Sequence, residues 1–120
     1  MTNDVYKILT EEEWRQSKAS SKIITKLDLK DGFVHLSTAS QLNASLSLYF
    51  SNESRVVLAQ INLSKIKNNL KYEDASNTNN RSGKFPHFYG ILNTNMILKT
   101  WQLKRSAFCL PREVLLQAEQ

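Results

Sequence analysis

Both histidines of the chain sit in phrases with the period of a β-strand. One is Gly32-Phe33-Val34-His35-Leu36-Ser37-Thr38, the other Phe85-Pro86-His87-Phe88-Tyr89-Gly90. Strand residues two apart share a face, so His35 and Ser37 point one way while Val34 and Leu36 point the other. The same alternation puts Phe85, His87 and Tyr89 together. Two stretches distant in the chain can thus each offer an imidazole and a hydroxyl to one cleft. A third phrase, Leu70-Lys71-Tyr72-Glu73, ends on a carboxylate beside a polar stretch, where it can orient a ribose hydroxyl or accept a proton.

Each residue also has a plainer reading. His35 falls near the C-terminal end of its strand, where open sheets place ligands, and just before a helix start that favours anions. It could equally bond a backbone carbonyl. Thr38 and Gln41 have the spacing of a capping box, which accounts for them without a ligand. Phe85 and Tyr89 suit stacking on a nucleobase, and suit packing at a sheet edge equally well. Glu73 can be an ordinary surface glutamate.

Several chemistries are weakened, and glycine-rich phosphate-loop chemistry is excluded, by what is missing. Two histidines and one cysteine without a paired acidic motif fall short of a metal-ligand set. Three glycines in the whole chain leave no glycine-rich phosphate loop. The nucleophile-elbow pattern of a Ser-His-acid hydrolase is absent. A two-histidine phosphodiesterase needs two His-x-Ser/Thr units; His35-Leu36-Ser37 is one, and His87-Phe88-Tyr89 departs from it.

Positioning these side chains falls to a short series of elements. Val5 to Leu9 reads as a strand, followed by a capping box, Thr10 and Glu13, that opens a helix from about Glu11 to Lys18. Trp14 is placed to pack that helix on the sheet. Residues 19–31 lack clear periodicity and end on the turn signal Asp31-Gly32. Phe33 to Ser37 form the second strand. Leu42, Leu46, Tyr49 and Phe50 then fall at helical spacing. Arg55 to Leu63 has the near-continuous apolar character of a central strand, and Leu70 to Glu73 is a shorter one. The wholly polar run 74–84 cannot bury a core side and reads as a loop, a candidate lid. Strands resume at Phe85 to Leu92, where Pro86 argues for a strand start or sheet edge, and at Met96 to Leu103. Pro111 suits the first turn of a final helix.

With 120 residues the chain is expected to be one domain, 1–120, able to bury a core without staples. The lone Cys109 favours a reducing cytoplasm. The N-terminal residues lack the regions of a signal peptide, and no apolar run approaches the ~20 residues needed to span a bilayer, so no membrane partner is expected. A net charge of +5 attracts anions. The excess is dispersed rather than gathered into a basic stripe, which argues against sequence-specific DNA binding and leaves RNA open.

Val5 to Thr10 with Trp14, residues 32–41, 70–73 and 85–90 together resemble, in order and over nearly the whole chain, the motifs of the domain of unknown function 952 family. The resemblance implies an ADP-ribosyltransferase-like fold, a split, strongly bent sheet with a cleft between its halves. Within that fold the layout is similar to the tRNA-splicing RNA phosphotransferases, which implies that His35 and Ser37 line a nucleotide cleft. Where those enzymes carry His-Gly on the first strand, this chain has Tyr6-Lys7. The resemblance therefore implies that Lys7 meets a phosphate and that the usual grip on NAD is altered. Fold-level likeness does not establish an activity.

The expectation is an α+β domain with a bent, split mixed β-sheet of about six strands and two or three helices. Its cleft is expected to bind a nucleotide-like or phosphorylated ligand. His35, Glu73 and His87 are the catalytic candidates; Tyr6, Lys7, Ser37, Thr38, Gln41, Phe85 and Tyr89 are the ligand-binding ones. Transfer of an ADP-ribosyl or phosphoryl group, with NAD as the cofactor to test, is the enzymatic version. A noncatalytic binding module for RNA or an acidic protein partner is the alternative.

Overall fold

A computed structural model describes residues 4–50, 52–74, 84–104 and 114. The interior of the expected lid, with Arg81 and Gly83, lies outside the described residues, as do Cys109 and all of the expected C-terminal helix except Val114, which is buried.

The chain opens with strand β1, Val5–Thr10, and runs directly into helix α1, Glu11–Ser20. The expected capping box is present: the Glu13 N–H donates to Thr10 Oγ1 at 3.0 Å, and the Thr10 N–H donates to the Glu13 carboxylate at 2.9 Å. Trp14 packs this helix onto the apolar core.

The stretch read as aperiodic contains a second helix, α2, Lys26–Asp31. With six residues it is too short to show a period, yet it carries its own capping box. The Asp28 N–H donates to Thr25 Oγ1 and the Thr25 N–H to the Asp28 carboxylate, both at 3.1 Å. It ends on Gly32 at φ 82°, a left-handed conformation that glycine adopts without steric cost. Among its residues only Asp28 is buried, so α2 is attached to the sheet by a charge rather than by an apolar stripe.

Next come β2, Val34–His35, and β3, Ser37–Thr38. A 3-10 turn leads into α3, Leu42–Tyr49, whose Leu42 and Leu46 are buried as their spacing predicts. The remaining elements are β4, Arg55–Ile61; the short helix α4, Leu63–Ile66; β5, Leu70–Asp74; β6, Lys84–Phe88; and β7, Ile97–Lys104.

The strands form two sheets, ordered β3-β1-β4-β7 and β2-β6-β5. The phrase expected as one strand, Phe33 to Ser37, is divided between them. His35 pairs with His87 in the smaller sheet, Ser37 pairs with Tyr6 in the larger, and Leu36 is the crossing point. The expected mixed sheet is corrected, because every strand pair described is antiparallel. The element count is also corrected, to seven strands and four α-helices among the described residues.

Pro86 is in the middle strand of the smaller sheet rather than at an edge. The crossing at Leu36 explains how. The N and C=O of a strand residue point to the same side, and on that side β2 has already ended. The Pro86 carbonyl accepts from the Leu36 N–H at 3.1 Å, so the proline's missing N–H falls where the chain leaves this sheet rather than inside the β2–β6 ladder.

Strand β1 separates two apolar clusters. Val5 and Leu9 join Ile23, Val34, Leu36, Ala59, Ile61 and Phe88 on one face; Tyr6 and Ile8 join Leu42, Leu46, Val56 and Leu58 on the other. Lys7 falls between Val5 and Leu9 in the first alternation, and its side chain is 4% exposed. None of the described helices is long and apolar enough to cross a membrane.

Candidate functional site

A cavity of about 560 Å³ opens where the two sheets diverge, a size in the range of small-molecule pockets. Its origin is a gap in pairing. Strand β3 pairs with β1 at Val5 and Tyr6 and then leaves it, so among the described residues the edge of β1 from Lys7 to Thr10 has no strand neighbour on that side. Lys7, Ile8 and Thr10 line the cavity there, α2 and its N-cap wall it through Thr25, Leu27, Asp28, Lys30 and Asp31, and the smaller sheet contributes His35, Phe85 and His87.

The α2 side is built around Asp28. Its carboxylate is ion-paired with the Lys7 ammonium at 2.9 Å, and it accepts the His35 backbone N–H at 3.0 Å and bonds His35 Nδ1 at 2.7 Å. The Lys7 ammonium also donates to the His35 carbonyl at 3.0 Å. Burial alone raises the Asp28 carboxyl, but the hydrogen bond from His35 and the charge of Lys7 more than reverse this and hold it at about 2. Burial pushes the Lys7 ammonium down, with Asp28 opposing. The other ring nitrogen of His35, Nε2, lies 2.8 Å from Asp31 Oδ2. Both ring nitrogens of His35 are thus engaged by carboxylate oxygens.

His87 is held differently. Its Nδ1 is 2.9 Å from Glu73 Oε1, and the Tyr89 hydroxyl donates to the same oxygen at 2.7 Å. Since the carboxylate accepts, Nδ1 carries the proton and Nε2 is the basic nitrogen. Nε2 has no hydrogen-bond partner among the described residues, while the residue is 4% exposed and lines the cavity. Burial lowers His87 below the usual histidine range, against the raising effect of Glu73. The Tyr89 hydroxyl and then His87 hold the Glu73 carboxyl below its usual range, and the same contact raises Tyr89.

Cross-strand register explains why these groups meet. His35 on β2 is opposite His87 on β6, which is opposite Lys71 on β5. The preceding row, Val34, Phe88 and Leu70, faces the apolar core. One face of the smaller sheet therefore packs and the other carries chemistry. The imidazole centroids are 5.7 Å apart. Phe33, also on that face, stacks on His87 at 4.0 Å and contacts the rings of His35 at 4.5 Å and Tyr89 at 5.3 Å.

The structure thus brings together His35, His87, Phe85, Ser37 and Lys7 at the cavity, with Glu73 and Tyr89 behind and beside His87. Ser37 is buried, its hydroxyl 3.2 Å from that of Ser45. The Lys7 ammonium, expected at a phosphate, is engaged by Asp28 instead. Tyr6 points to the opposite face of β1, into the second cluster near Trp101. Thr38 and Gln41 stand outside the cavity lining. The Gln41 side chain accepts the Thr38 N–H at 3.0 Å and donates to the Lys84 carbonyl at 2.7 Å, tying the start of α3 to the start of β6.

Asp28, Asp31 and Phe33 are the site residues the sequence reading overlooked. The Thr25/Asp28 capping spacing was a legible signal for α2. Nothing in the sequence could show that the capping aspartate would also meet Lys7 and His35, because that depends on strand order. No group of three or more His, Cys, Asp or Glu side chains is placed to hold a metal among the described residues.

The comparisons with known proteins accord with this layout. Residues 8–100 match the family described as "Protein of unknown function (DUF952)". The chain belongs to that family. No curated protein matches it significantly. Among solved structures it is similar to protein CC0527 from Caulobacter crescentus, a structural-genomics target. The crystal structure of CC0527 is 28% identical, covers 96% of this chain and 98% of its own, and superposes with a TM-score of 0.77. The solution NMR structure of the same protein is 27% identical, covers 99% of this chain and all of its own, with a TM-score of 0.75. The DUF952 chain described here thus shares its fold with a relative along the whole length, and the name of that relative states no activity.

Proposed function

We propose that the cavity binds a nucleotide-like or phosphorylated small molecule and that His87 acts on it as a general base. The observation that carries this reading is the Glu73–His87 arrangement. A carboxylate fixes the tautomer, burial favours the neutral ring, and the basic Nε2 is left without a partner among the described residues at a cavity wall. Such a base takes the proton of an acceptor hydroxyl as its oxygen attacks, and the leaving group departs with the electron pair of the broken bond. Transfer of an ADP-ribosyl or phosphoryl group is the reaction class proposed, with NAD the first cofactor to try.

Charge distribution favours the base and ribose of the ligand for the interior. Glu13, Asp28 and Asp31 line the cavity against Lys7 and Lys30, and Lys7 is already paired. In this reading Asp31 and Ser37 exchange their present bonds for ligand hydroxyls, and Phe85 contacts a base. His35, clasped by two carboxylates, organises the wall in this reading while His87 does the chemistry.

A thermal-shift series with NAD, ADP-ribose, mononucleotides and cyclic phosphodiesters tests it. A ligand at about a hundred times its dissociation constant adds ~2.7 kcal/mol of stability, and the shift is expected to vanish in His87→Ala. Silence across the series, or equal shifts in that variant, overturns the reading. Nicotinamide release from NAD, or its absence with several acceptors, decides the NAD version. The net charge of +5 favours one rival, a noncatalytic module that binds RNA or an acidic protein through its surface. Binding of that kind weakens steeply with salt, whereas a pocket ligand responds far less.

A further inference from the structure

The chemical face of the smaller sheet does not stop at the cavity. The row that begins with His35 and His87 continues to Lys71 on the edge strand β5. Beside it, Tyr89 is 39% exposed and contacts Phe33. Lys71 is exposed, with its ammonium 5.2 Å from the centre of the Tyr89 ring. Neither residue lines the cavity; the reading above gives Lys71 no part and Tyr89 only its bond to Glu73.

We propose that the site extends past the cavity mouth onto Tyr89 and Lys71, as a second subsite for an aromatic base linked through phosphate to the nucleoside held inside. This inference rests on the nucleotide-like reading of the cavity and specifies its substrate class. Two observations support the division of the ligand. The interior ammonium of Lys7 is paired with Asp28, and the lining carboxylates Glu13, Asp28 and Asp31 outnumber Lys7 and Lys30; outside, the exposed Lys71 makes no ion pair among the described residues, although Glu73 senses its charge, and it is the better place for a phosphate. Tyr89 is a prepared stacking surface, because its hydroxyl is bonded to Glu73 at 2.7 Å and its ring is thereby oriented before any base arrives. Base stacking on an exposed aromatic, with a cation nearby, is the common device for holding successive bases without reading their sequence.

A second base joined through phosphate is found both in dinucleotide pyrophosphates and in a step of single-stranded RNA. Calorimetric titration with AMP, NAD and the ribodinucleotide ApA separates these sources. NAD or ApA, or both, is expected to bind about tenfold tighter than AMP, a gain in keeping with one stacked base. Lys71→Ala is expected to remove most of that gain and leave AMP binding unchanged. Tyr89→Phe, which retains the ring, is expected to keep more of it than Tyr89→Leu. A gain for NAD alone assigns the subsite to dinucleotide pyrophosphates, and a gain for ApA alone to RNA. If AMP binds and both larger ligands bind no better, or if Lys71→Ala leaves their advantage intact, the second subsite is overturned while the cavity reading stands. Failure of all three ligands to bind overturns both.

Discussion

The two imidazoles face one another across a single sheet, yet their surroundings are opposite. His35 has a carboxylate on each ring nitrogen and a backbone N–H and C=O bonded into the same Lys7–Asp28 cluster. His87 has one carboxylate, on Nδ1, and its Nε2 has no partner among the described residues. The first arrangement spends every polar atom on holding α2 against the sheet. The second spends half and keeps half available. Residue type alone therefore does not locate chemistry: a saturated imidazole is a fastening, and a half-saturated one at a cavity is a candidate reagent.

If this contrast is right, the two sides must fail differently when altered. Asp28→Ala removes the partner of a buried ammonium and the inward anchor of α2. It is expected to cost about 3–5 kcal/mol in chemical denaturation, the largest effect of any change at the site. A smaller effect follows from acid. Asp28 is at about 2 in the folded protein against an ordinary 3.8, so its contribution is present above about pH 4 and is lost as pH falls toward 2. That depression corresponds to roughly 2 kcal/mol, and Asp28→Asn is expected to flatten the stability profile in that window.

On the other side the sign comes from the neutral form. The folded value of His87 lies below the ordinary 6.5, so the unfolded chain takes up the proton first on acidification. Its contribution is present above about pH 6.5 and declines below it, a step that His87→Asn is expected to remove. Smaller still is Glu73→Gln. Glu73 is partly exposed, so stability is expected to change far less than in Asp28→Ala, whereas ligand-induced thermal shifts are expected to fall because the tautomer of His87 is no longer fixed. If Glu73→Gln destabilised the fold as much as Asp28→Ala, the contrast between fastening and reagent would be lost.

Much of the scaffold was legible from local pattern. The Thr10/Glu13 capping box, the Leu42 and Leu46 stripe and the apolar run of β4 each specify their element through nearest neighbours alone. The face-sharing of Phe85, His87 and Tyr89 follows from the strand period in the same way. What escaped depends on chain crossing. That Leu36 divides one extended phrase between two sheets is a consequence of which strands β1 and β6 accept as partners. Pro86 in a middle strand is tolerated because of that crossing, and a rule about proline at edges could not anticipate it. Lys7 shows the limit most clearly: its place on the inner face of β1 was readable from alternation, but its partner, Asp28, belongs to a six-residue helix with no periodic signature.

The most direct measurement is a nitrogen-resolved NMR titration of both imidazoles with NAD and AMP. The account predicts that free His87 shows a protonated Nδ1 and an unprotonated Nε2, titrating below the ordinary histidine range, and that ligand moves the His87 Nε2 resonance while those of His35 stay in place. A response at His35 with His87 unmoved, or a free His87 protonated at Nε2 instead of Nδ1, would contradict it.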